Sequence, residues 1–244
     1  MKTLLEKYIE ASQQYVEKEK LNKDAIGIVV SGSMKYATID KNSDIDIYVI
    51  LDPKCDYRER GNLWIHGIEV EYFKNPPAQI KRYFEQEKKS PHTAHMLAYG
   101  EVAYAASEIV NELVAMAKTI IGEKPQKLKD VEIEFEKYFI DDYYKDLEDA
   151  LLNEDPLGVK TIRAKIINRS IDIFCKVNQI RRAKDKRLSK QIAHLDGDFH
   201  RIILEALSED WDQERSLEKL RTKVEKLLGG RRTAEWKLRS GLDL

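Results

Sequence analysis

Two short apolar runs decide what this chain can become. Ala25–Val30 reads AIGIVV and Ile45–Leu51 reads IDIYVIL. Each is too short for an ordinary helix, and the first is closed by the turn Ser31-Gly32-Ser33. Runs of this kind are strands covered on both faces. The N-terminal half therefore needs a sheet with helices on either side. Leu63–Ile65 and Ile68–Phe73 flank His66-Gly67 and read as a hairpin; Val102–Ala105 reads as a further short strand. Helices are expected at 3–21, at 78–88, from Ser90-Pro91 to Gly100, and at about 107–120. In the third of these, Ser90 would be the N-cap and Pro91 the first helical residue.

Beyond Lys124-Pro125 the strand pattern stops. Phe135, Phe139, Tyr143, Leu147 and Leu151 form a stripe four residues apart. Val159, Ile162, Ile166, Phe174 and Val177 continue the style, and Leu217, Leu220, Val224 and Leu227 make a third stripe. The expected fold class is α+β: a mixed β-sheet domain with flanking helices over 1–124, then an all-α helical bundle domain over 125–244. With 244 residues, 42% hydrophobic, the chain can bury its core without a disulfide framework or a structural metal. Cys55 and Cys175 stand without a CxxC or Cys/His cluster, which argues against both. The polar start MKTLLEKYIEASQQ does not read as a secretion signal, and no run approaches the ~20 apolar residues of a membrane span. The expectation is a soluble cytoplasmic protein with no membrane partner.

The chemistry is concentrated in Gly27–Phe73. Asp44 and Asp46 are two apart on a strand, so their side chains share a face, while Ile45, Ile47 and Val49 face the core. Carboxylates so close repel one another. A divalent cation removes that cost. Oxygen donors with no nearby His or Cys suit Mg²⁺, which binds through few carboxylates together with substrate phosphates. The Gly32-Ser33 turn offers backbone N–H groups and a hydroxyl to such phosphates. A third carboxylate is available on the next strand, where Glu69 and Glu71 share a face; Glu71 is preferred and Glu69 is the alternative.

Gly32-Ser33, ten residues, Asp44-Ile45-Asp46 preceded by Ser43, and then a glutamate on a later strand resemble the nucleotidyltransferase superfamily. These are the polymerase-beta-type enzymes, which include the bacterial aminoglycoside and lincosamide nucleotidyltransferases. The resemblance implies transfer of a nucleoside monophosphate from a nucleoside triphosphate to a hydroxyl, with release of pyrophosphate. It implies that Asp44, Asp46 and Glu71 hold two Mg²⁺ ions, that Glu71 assists deprotonation of the acceptor, and that Gly32, Ser33 and Ser43 lie at the triphosphate. The implied acceptor is a small hydroxylated molecule, antibiotic-like. Many relatives have glycine where this chain has Ala37, and aspartate as the third acid.

Other features carry less. Residues 1–158 hold 21 basic and 30 acidic side chains, and residues 159–244 hold 21 and 13. The blocks read as solvated faces, and the net charge of −1 disfavours a long nucleic acid as acceptor. Arg181–Arg187 with Lys190 reads as a basic loop between helices, and is the one feature that would suit nucleotidylation of a tRNA or protein. The acidic segment 130–155, with Asp141, Asp142 and Asp146, reads as the outer face of a helix. Trp64, Trp211 and Trp236 read as core or packing residues.

Overall fold

The computed structural model describes residues 2–32, 39–40, 42–88, 90–208 and 213–239. The chain divides into two compact units, 1–123 and 124–244.

The first unit is a five-stranded mixed sheet covered on both faces. Its elements are α1 (Leu4–Glu19), β1 (Ala25–Gly32), β2 (Ile45–Leu51), β3 (Glu59–Ile65), β4 (Ile68–Asn75), α2 (Pro77–Gln86), α3 (His92–Tyr99), β5 (Glu101–Ala105) and α4 (Glu108–Gly122). The spatial order is β3-β4-β2-β1-β5. The β2–β4 pair is parallel, whereas β1–β2, β1–β5 and β3–β4 are antiparallel. Period-two alternation sends Ile45, Ile47, Val49 and Leu51 to one face, where Tyr8, Ala11, Tyr15 and Val16 of α1 cover them. Tyr48 and Ile50 go to the other face, under Ile80 and Phe84 of α2, Leu97 of α3 and Leu113 of α4. Each side chain so buried contributes about 1.5–3 kcal/mol. Thr3 caps α1 by accepting from the Glu6 N–H, and Glu6 returns the bond to the Thr3 N–H.

Two expectations are corrected here. The cap of α3 is Pro91, not Ser90. The carboxylate of Glu87, just past α2, takes the N–H of Thr93 in the first turn of α3 at 2.7 Å and its hydroxyl at 3.0 Å, so a residue outside the helix satisfies its start. Strand β3 begins at Glu59, four residues before the apolar signal at Leu63, because its first residues are polar.

The second unit is helical: α5 (Asp130–Leu152), α6 (Pro156–Val177), α7 (Asp185–Leu195), α8 (Gly197–Leu207) and α9 (Gln213–Leu227). Its core centres on Ile166, Ile173 and Phe199, all fully buried, with Phe174 and Phe199 stacked at 4.5 Å between ring centroids. The Tyr144 hydroxyl of α5 donates to the Leu217 carbonyl of α9 at 2.7 Å. Trp236 packs on Tyr138 and donates to Glu134, a packing role as expected; Trp211 lies outside the described residues. Asp141 is not simply an outer-face charge: it accepts from Arg221 at 3.3 Å and from Arg232 at 3.1 Å. The basic segment is shorter than a loop over 181–190, since α7 starts at Asp185. Within it Arg182 is held by Asp172, Asp185 and Asn168. No helix among the described residues is long and apolar enough to cross a membrane.

Candidate active site

Strand pairing brings the acids together. In the parallel β2–β4 ladder, Asp46 stands opposite Glu71, and the period of two puts Asp44, Asp46, Glu69 and Glu71 on the face shared with Tyr48. Asp44, Asp46 and Glu71 each present a carboxylate oxygen within 4.8 Å of the others. All three are half-buried. Glu69 is on the same face but accepts from the Asn62 amide and stands outside that cluster. A cavity of about 380 Å³ opens beside the acids, lined by Asp44, Arg60, Gly61, Asn62, Glu69 and Glu71.

Gly32 closes the other side. Its register partner on β2 is Ile45, and its φ is +101°. A Cβ at this position would meet the Asp44 carbonyl and the Asp46 N–H at 3.2 Å, and an Asp46 carboxylate oxygen at 3.5 Å. Only glycine takes this backbone without strain and leaves room for Asp46. Gly32→Ala is therefore expected to cost about 1–3 kcal/mol in urea unfolding and to slow transfer by pushing on Asp46. An alanine variant with native stability and native turnover would contradict this.

The segment before the acids is anchored from α1. The Tyr8 hydroxyl donates to the Ser43 carbonyl, and burial together with the Asp40 and Asp44 carboxylates pushes its pKa up. The Ser43 hydroxyl accepts from the Asp40 N–H at 3.0 Å and so shapes the turn leading into Asp44. Ser33, with Lys35 and Ala37, lies outside the described residues.

Sequence reasoning missed one contributor and misplaced another. Arg60 donates from Nε at 3.0 Å and from Nη2 at 2.6 Å to Oε1 of Glu71. Its guanidinium lies 4.7 Å from the Phe73 ring centroid. The alternation of Gly61, Leu63 and Ile65 with Arg60, Asn62 and Trp64 is the signal that puts Arg60 on the acidic face. The same alternation corrects Trp64: it stands opposite Glu69 on that face and is 66% exposed, not packed in a core.

The donor set suits a hard divalent cation. It is made only of carboxylate oxygens, grouped closely enough to share an ion, and soft or imidazole donors are missing from it.

Residues 13–115 match the family described as nucleotidyltransferase domain. Comparison with curated proteins finds no match. Among solved structures, the chain resembles a nucleotidyltransferase-like protein from Exiguobacterium sibiricum 255-15 with a TM-score of 0.52. The two are 11% identical over 90% of this chain and 74% of that one, a likeness of fold. Over residues 13–115 the chain thus matches a nucleotidyltransferase domain, and it shares its fold with that solved structure.

Proposed function

We propose that this protein moves a nucleoside monophosphate from a nucleoside triphosphate to a hydroxyl of a small, antibiotic-like acceptor, releasing pyrophosphate in a magnesium-dependent reaction. The observation that carries the reading is the convergence of Asp44, Asp46 and Glu71 beside Gly32 within a nucleotidyltransferase domain. The three carboxylates would hold the magnesium, two ions in the full assembly. Bound there, the metal supplies charge neutralisation for the leaving pyrophosphate and acidifies the attacking hydroxyl. Gly32 lets the triphosphate approach the backbone. Ser43 holds the turn that aims Asp44. The acceptor oxygen bonds to the α-phosphorus, the bond from that phosphorus to the bridging oxygen breaks, and the electron pair leaves with pyrophosphate. The hydroxyl proton passes to Glu71. Positioning and charge compensation supply most of the rate in such transfers.

A cavity of about 380 Å³ lined by carboxylates, an amide and a guanidinium suits a small polar acceptor. Modification of a tRNA or protein gains no support from the basic segment, where Arg182 is tied to its own helices. The test is pyrophosphate release from each of the four nucleoside triphosphates with magnesium, against panels of hydroxylated antibiotics and metabolites. Release that depends on one acceptor and stops with EDTA is expected. Release that persists in EDTA, or with RNA or protein as the acceptor in place of a small molecule, would overturn the reading.

A further inference from the structure

We propose that Arg60 is a tethered counter-cation of the acid cluster: it neutralises Glu71 until a divalent cation binds, then swings to take an anionic oxygen of the nucleotide's phosphates. The inference rests on the function proposed above and adds to it a residue outside the acidic motif. Three carboxylates with oxygens within 4.8 Å of one another repel unless positive charge is near. Arg60 supplies that charge, with both of its donors on a single oxygen of Glu71.

The pair is built to be exchanged. The Arg60 side chain is 70% exposed, and an ion pair so wet is weak. A doubly charged ion outcompetes it. The guanidinium cannot shed its proton, so once displaced it needs another anion. Phe73 lies under it at 4.7 Å and keeps it at the wall of the cavity shared with Asp44 and Glu71. On the function proposed above, the anion brought beside these acids is a phosphate of the nucleotide, which a guanidinium fork fits well. Lys74 of the neighbouring strand β4 is on the opposite face and is held by Glu19 and Glu59.

The two halves of the proposal have opposite signs in one variant. Mn²⁺ alone, titrated into the full chain and followed by water-proton relaxation, is expected to bind Arg60→Ala about threefold more tightly than the native protein. At saturating Mn²⁺, the α,β-methylene analogues of the nucleoside triphosphates are expected to bind the same variant about tenfold more weakly. Arg60→Lys keeps the charge and should restore native Mn²⁺ affinity. A merely structural Arg60 would instead weaken both ligands and lower the melting temperature, and that result, or unchanged Mn²⁺ affinity, overturns the proposal. Asp46→Asn separates the two levels. Loss of Mn²⁺ binding there with no change in Arg60→Ala refutes only the role of Arg60. Native Mn²⁺ binding in Asp46→Asn refutes the metal site itself.

Discussion

Asp46→Asn is expected to fold as the native chain does and to release pyrophosphate at least about a thousandfold more slowly, the scale of several kcal/mol of lost charge stabilisation. The amide is nearly the size of the carboxylate, and Asp46 is half-buried at the open end of β2, outside the apolar clusters. Packing therefore changes little. What changes is charge: a neutral amide offsets none of a cation's charge, and it stands directly opposite Glu71 in the ladder. Circular dichroism and melting temperature check the fold, and a coupled pyrophosphate assay checks the chemistry. Turnover at the native rate in a folded variant would remove Asp46 from the catalytic machinery.

Phe199→Ala has the largest expected effect on stability, a loss of about 3–5 kcal/mol. Phe199 is fully buried, stacks on Phe174 and lies among Ile166 and Ile173 of α6 and Leu220 of α9. Its N–H is also the one that the Asp196 side chain caps at the start of α8, a bond that holds the Asp196 pKa below its usual value. Truncation leaves a ring-sized void where α6 and α8 meet, and a rigid core closes such a void only in part. Urea unfolding of the full chain, followed by far-UV circular dichroism, reads the change in the transition of the helical unit. A shift of under about 1 kcal/mol would show that the core rearranges around the gap.

What the sequence made legible, and what it hid, follows from the range of the forces involved. The faces of β2 were readable because alternation is local: Ile45, Ile47 and Val49 on one side require Asp44 and Asp46 on the other. Which glutamate stands beside Asp46 was not readable. Glu69 and Glu71 share a face by the same alternation, and only the register of a parallel ladder between distant segments separates them. Arg60 was hidden because Glu59–Asn62 has no apolar run to announce a strand. Trp64 was misplaced because a large aromatic suggests a core, whereas an edge strand leaves one of its faces open. In the helical unit, the three apolar stripes resolve into five helices among the described residues. Short helices such as α7, with Ile192 as its buried anchor, carry too few apolar positions to stand out from their neighbours.

The parallel pairing of β2 with β4 has a practical consequence. The acids are aligned by hydrogen bonds between these two strands, while the chain joining them runs out through 52–58 and back along the sheet edge. Segment 52–58 leaves from the end of β2 remote from Asp44 and Asp46. Extra residues at its exposed turn, Pro53-Lys54, add only a slowly growing loop entropy and lie apart from the bonds of Tyr57 to Asp24 and Arg58 to Tyr83. For a protein engineer, this makes the connection a natural graft point for a fluorophore-bearing or affinity peptide, leaving the alignment of the carboxylates untouched.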